Sequence, residues 1–168
     1  MDTGMAAEDF VDRARSGWAR SRPELDVASI EVMGRISRIG ALLSQRVEHD
    51  LVPVALTRTE FDLLCTLARA GRPLRASEIT AATMLSGAST TKNADRLVKR
   101  GLIERLPWER DGRVVLMALT PEGVDLVDRQ FPTFLDRDKD LLSGLDDDEQ
   151  ATLAALLRKI AVKLEPSG

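Results

Sequence analysis

The sequence predicts a mainly α-helical fold carrying one small β-hairpin, and three observations between Ser86 and Gly123 support that expectation. Ala94, Leu97 and Val98 recur at three- and four-residue spacing, which marks a helix with one apolar face, and Gly101 supplies its stop. From Leu102 the period changes. Leu102 to Leu106 and Val114 to Leu119 are short runs rich in Leu, Ile and Val on either side of a charged turn, Pro107 to Arg113, and read as a hairpin. Thr120-Pro121-Glu122 then opens a new helix, with an N-cap residue, a proline at the first helical position and an acid near the positive helix end. Helix, stop, hairpin and helix in this order make a winged helix-turn-helix. The expected class is mainly α with a small β-wing, bearing N- and C-terminal dimerisation helices.

The elements before this segment follow in order. Ala6 to Arg20 places Phe10, Val11, Ala14 and Trp18 on one face and ends before Arg22-Pro23. Val27 to about Asp50 repeats Ile30, Met33, Ile36, Ile39 or Gly40, and Leu43 as a second long amphipathic face. Thr57 or Thr59 is placed to cap a helix from Glu60 to Arg69, closed by Gly71. Arg75 to Ala82 is the short first helix of the helix-turn-helix, with Ser86-Gly87 at the turn.

After the hairpin, Pro121 to about Leu142 is helical, with Pro132 expected to kink or interrupt it. Asp146 with Glu149 three residues on resembles a capping box and opens a last helix to about Leu164. Its face of Leu153, Leu156, Leu157, Ile160 and Leu164 is too apolar for an outer helix of so small a monomer, so a second copy of the chain is expected to cover it. The expected organisation is one compact unit of N-terminal helices over 1–55, a winged lobe over 56–123 and C-terminal helices over 124–168.

Composition narrows the class. A chain of 168 residues with 43% hydrophobic content can bury a real core. It has no run of about 18 apolar residues, so no membrane span is expected. The acidic N-terminus lacks the apolar stretch of a secretory signal. The single cysteine, Cys65, excludes an internal disulfide and fits a reducing bacterial cytoplasm, with the nucleoid as the expected location. There is no glycine-rich phosphate loop, HExxH, CxxC or nucleophile elbow, and one Cys and one His cannot assemble most catalytic sets. No enzyme activity or cofactor is expected, and no metal either, because His49 stands beside Glu48 and Asp50 without a second nitrogen ligand.

The charge pattern points to nucleic acid. Net charge is -3, yet between Ser86 and Arg113 seven Lys or Arg face four acids, a local excess of three positive charges. Ser89, Lys92, Asn93, Arg96 and Arg100 recur on the side of the helix opposite its apolar face, with Ser86 and Thr90 at its start. Cations neutralise phosphate, and Asn, Lys and Arg read base edges in a major groove. Arg110 and Arg113 at the hairpin tip suit a minor groove, whose negative potential attracts guanidinium. Double-stranded DNA is the expected partner. A two-fold homodimer would read an inverted-repeat operator with half-sites about 10 base pairs apart.

GLIER, ERDGR and VLMALTPEG together resemble the wing region of the MarR family of bacterial transcription regulators, and Ile79 to Ser86 looks like the preceding helix and turn. The resemblance is specific from about Leu56 to Gly123 and looser over the whole length. Glu109, Asp111 and Arg113 match the family's acidic and arginine positions in the wing. Ser16 to Pro23, on an extra helix ahead of the usual family start, resembles the urate-responsive, PecS-like branch. What this resemblance implies is a ligand-responsive regulator, a repressor released from DNA by a small anion, with Trp18, Asp62 and Arg105 matching three of the four positions tied to purine binding. Asn93 stands where the second arginine would fall and lacks its charge, so the effector class stays open among urate, a phenolic acid and a carboxylate.

In that reading a buried Asp62 needs a partner, Arg105 is the candidate, and the incoming anion competes for it. Cys65, in DLLCTL, reads as a buried and inert thiol rather than a redox sensor. The rival readings are a winged-helix interaction module that binds no DNA, and a DNA binder with no ligand.

Overall fold

The computed structural model describes residues 8–108 and 111–165, with the side chains of 111–113 outside the description. Two compact units are present, residues 1–58 and residues 59–168, and the C-terminal helices fall within the second.

The first unit holds α1 (Phe10–Ser21), α2 (Ile30–Leu51) and a 3-10 turn (Val52–Val54). Asp9 caps α1, its carboxylate accepting from the Val11 and Asp12 N–H groups at 2.7 and 2.9 Å, while Asp12 accepts from the Asp9 N–H at 3.0 Å. Of the apolar face expected on α1, Val11 is buried, but Phe10 and Trp18 are about half exposed. Val11 packs against Gly34, where a Cβ would come within 2.9 Å of a Val11 methyl, so the two helices touch at a residue without a side chain.

Arg35 of α2 bridges both capping acids, reaching Asp9 at 2.9 Å and Asp12 at 2.7 Å. Its hydrogen bond, followed by the Asp9 N–H, holds the Asp12 carboxyl below its ordinary value of 3.8. A carboxyl depressed in the folded state contributes stability that is present above its unfolded pKa and lost as pH falls through the lower folded value. Acid titration below pH 3.8 is therefore expected to loosen α1. Trp18 fluorescence reads that change, and Arg35→Gln should show it in weakened form because the neutral-pH contribution is already gone.

The second unit is built on α3 (Arg58–Ala70), β1 (Leu74–Arg75), α4 (Ala76–Thr83), α5 (Gly87–Lys99), β2 (Ile103–Trp108), β3 (Asp111–Leu119), α6 (Pro121–Leu142) and α7 (Asp147–Leu164). Gly71 ends α3 and Gly101 follows α5 with φ of +62° and +69°, left-handed positions that glycine adopts without strain. The three strands form an antiparallel sheet in the order β1-β3-β2, with Leu74 opposite Met117 and Arg105 opposite the same Met117 across the other edge. The strand β1 was not expected from sequence, because two residues after Pro73 are too few to display a period.

The hairpin is also tighter than expected. Pairing continues through Pro107, opposite Val115, and after a register shift Trp108 faces Asp111. Pro107 is tolerated because β2 is an edge strand and needs no outward donor there.

Thr120 joins the end of α5 to the start of α6: its hydroxyl donates to the Gly101 carbonyl at 2.6 Å and accepts from the Gly123 N–H at 3.1 Å. Pro132 does not interrupt α6, contrary to one of the two outcomes expected for it. Buried anchors on both sides, Val127 before it and Phe134 after it, hold the helix through the missing hydrogen bond. Phe134 stacks on Phe61 of α3 at 5.0 Å, and Leu64, Ile79, Leu97 and Ile103 complete a core shared by α3, α4, α5 and the sheet.

The last helix behaves differently. Asp146 and Glu149 form the expected capping box, with bonds of 2.8 and 3.0 Å. None of the 18 residues of α7 is buried.

Candidate nucleic-acid interface and ligand cleft

The helix α5 is amphipathic in the way its sequence requires. Ala94 and Leu97 are fully buried, whereas Ser86, Lys92, Arg96 and Arg100 are exposed and Ser89 is half-buried. Ser86 caps the helix by accepting from the Ser89 N–H at 3.2 Å, so its hydroxyl sits at the positive end of the helix.

Two expected members of the stripe turn inward. Thr90 is fully buried and its hydroxyl meets that of Thr80 on α4 at 2.9 Å; Asn93 is buried and donates to the Ser89 carbonyl at 3.0 Å. The reason is helical phase: positions 90, 93, 94 and 97 share the face that packs on α4 and the core. Neither side chain faces the groove side of this helix. Thr91 and Lys99, which sequence reasoning passed over, are exposed in their place. A step of seven residues, two turns of a 3.6-residue helix, from Lys92 would have found Lys99, and Thr91 stands two four-residue steps before Lys99.

Arg96 lies 3.7 Å from Glu60, a buried carboxylate at the first turn of α3. Arg105 is not placed as expected either. Its guanidinium donates to Asp95 of α5 at 2.6 Å, because β2 leaves Gly101 and runs back alongside that helix. Arg105 therefore ties the wing to α5. Arg110 lies outside the described residues, as does the side chain of Arg113.

Asp62 lines a cleft of about 710 Å³ between α3, the end of α4 and α6, with Cys65, Thr66, Arg69, Met84 and Phe131 among its walls. That volume is in the range of small-molecule sites. Arg105 is not part of it, and Trp18 belongs to the other unit. Arg69 is the cation that sequence reasoning missed. Asp62, Cys65, Thr66 and Arg69 are spaced by three, one and three residues, the spacing of one helix face, so the signal was present. Burial, followed by the charge of Asp62, pushes the Cys65 thiol up to about 11. At neutral pH the thiol is almost entirely protonated, but Cys65 is half-buried on the cleft wall rather than fully buried as expected.

A helix-turn-helix whose second helix exposes a cationic stripe, followed by a three-stranded wing, defines a winged-helix DNA-binding regulator. Residues 56–115 match the MarR family. The regulator PecS of Dickeya dadantii is 34% identical over 145 residues, covering 85% of this chain and 87% of its own length. The chain belongs to the MarR family, and its family and fold are those of transcription regulators rather than enzymes. A mutant of Escherichia coli MarR crystallised with operator DNA superposes with a TM-score of 0.69 at 29% identity, covering 81% of this chain and 99% of that one. Bordetella bronchiseptica BpsR, whose DNA binding is regulated by 6-hydroxynicotinic acid, superposes with a TM-score of 0.71 at 26% identity, covering 82% and 97%. Among the described residues no helix is long and apolar enough to cross a membrane.

Proposed function

We propose that the chain is a homodimeric repressor that reads an inverted-repeat operator through α5 and releases it when a small anion binds. The observation that carries this reading is the exposed face of α5, where Ser86, Thr91, Lys92, Arg96, Lys99 and Arg100 stand outward over a buried apolar face. The wing arginines, Arg110 and Arg113, are assigned to the adjacent minor groove. Homodimerisation is supported by the uncovered leucines of α7 and by Val32, Ile39 and Leu42 of α2, all exposed in the single chain.

The effector is assigned to the Asp62 cleft, where Arg69 supplies the cation for a carboxylate or urate oxygen, and Phe131 and Met84 supply apolar wall. The aromatic carboxylate that regulates BpsR belongs to this chemical class. The route from cleft to operator differs from one through Arg105. The helix α3 carries Asp62 at the cleft and Glu60 against Arg96 of the reading helix, so an anion that shifts α3 moves the acid that orients a DNA-facing arginine.

Thermal unfolding with urate, salicylate and 6-hydroxynicotinate tests the effector. A ligand at 100 times its Kd raises stability by about 2.7 kcal/mol. The expected outcome is stabilisation by at least one of them together with release of bound DNA, and loss of that release in Asp62→Asn and Arg69→Gln. Release that is unchanged in both variants rejects the cleft.

A further inference from the structure

Trp108 is the last described residue of β2 before the wing tip, and Arg75 lies at the opposite edge of the same sheet, at the N-cap of α4. Arg75 pairs with Leu116 and Leu116 pairs with Leu106, so these three side chains share one sheet face. Across that face the Arg75 guanidinium lies 4.2 Å from the centre of the Trp108 ring. We propose that this cation–π contact is a clamp that sets the lean of the wing against the helix-turn-helix, making Trp108 and Arg75 positioning residues for the minor-groove contact. The proposal rests on the DNA-binding reading above.

Three features support it. The register shift between Pro107 and Trp108 makes the ladder irregular at the base of the wing tip before Trp108 pairs with Asp111, so the direction of the wing is held less firmly by backbone pairing there. A ring seated on a guanidinium from the far edge strand holds it instead. Arg75 is itself fixed. Its N–H donates to Glu78 at 2.8 Å, and Arg72 holds the other oxygen of that carboxylate at 2.7 Å. Those two bonds, the Arg72 one foremost, keep the Glu78 carboxyl below its ordinary range, so the anchor stays ionised at neutral pH. The chain of contacts thus runs from the first helix of the helix-turn-helix to the base of the wing. Its consequence is that groove contacts made by the wing tip and by α5 keep a set spacing.

Footprinting of the full-length protein on its operator, at saturating protein, separates this role from simple folding. Guanine N7 methylation protection reads the major groove under α5, and hydroxyl-radical protection reads the minor groove under the wing. Trp108→Leu and Arg75→Gln are expected to lose the minor-groove protection, keep the major-groove protection, and weaken operator binding about tenfold. Trp108→Phe, which keeps an aromatic face, should restore both. Minor-groove protection that persists in Trp108→Leu overturns the clamp, as does equal loss of both protections. Wild-type protein that gives neither protection refutes the DNA-binding reading itself.

Discussion

Replacing Leu156 and Leu157 together by glutamate will leave the chain monomeric and weaken its operator affinity by about a hundredfold or more, the amount contributed by linking two half-site readers. In the single chain these side chains are 52% and 40% exposed, on a helix with no buried residue, so the change removes nothing from the core of either unit. Covering each leucine with a partner is worth about 1 to 2 kcal/mol, and a two-fold axis counts every residue twice. Burying four carboxylates in the same place reverses the sign. Light scattering after size exclusion reads the first effect and fluorescence anisotropy the second. A double variant that remains a dimer with wild-type affinity would remove α7 from the interface.

Gly123→Ala is expected to be the most damaging single methyl in the second unit. A Cβ at this position would overlap the carbonyl oxygen of Leu102 and crowd the side chain of Leu119. The obstacle is backbone rather than a flexible side chain. That carbonyl accepts the Thr120 N–H at 3.2 Å, and the Leu102 N–H is bonded to Leu97 at 3.0 Å, so neither backbone group of Leu102 is free to yield. Overpacking of this kind costs about 3 kcal/mol. For a chain of this size the thermal midpoint should fall by about 6 to 12 °C. An unchanged midpoint would show that α6 enters the lobe less tightly than this structure places it. The same Thr120 junction fixes the end of α5 against the start of α6, so the strain also reaches the helix proposed to read DNA.

The elements that were legible in the sequence are those with strong local chemistry. Thr120-Pro121-Glu122, the Asp146 and Glu149 capping box, Gly71 and Gly101 each specify a boundary within a few residues, and the structure places a boundary at each. The alternation from helical to strand period after Gly101 identified the wing for the same reason. What escaped was set by packing across elements. Thr90 and Asn93 look like polar groove readers in a one-dimensional stripe, but a rotation of about 100° per residue turns both inward, Thr90 onto Thr80 of α4 and Asn93 back onto the Ser89 carbonyl. The sequence suggests Arg105 as the partner of Asp62, yet the direction of β2 after Gly101 brings it to Asp95. Arg69 and Glu60 are unremarkable charges in sequence and gain meaning from the cleft and from Arg96.

The central claim is that a dimer of this chain reads two half-sites with α5. Titration of the native protein against the operator mapped in its own upstream DNA, and against the same DNA with about 5 base pairs inserted between half-sites, tests it most directly, since half a helical turn puts the second site on the wrong face. Binding of one dimer to the native spacing, weakened about a hundredfold by the insertion, is the predicted result. Equal affinity for both DNAs, or binding no tighter than to random sequence at moderate salt, would contradict it.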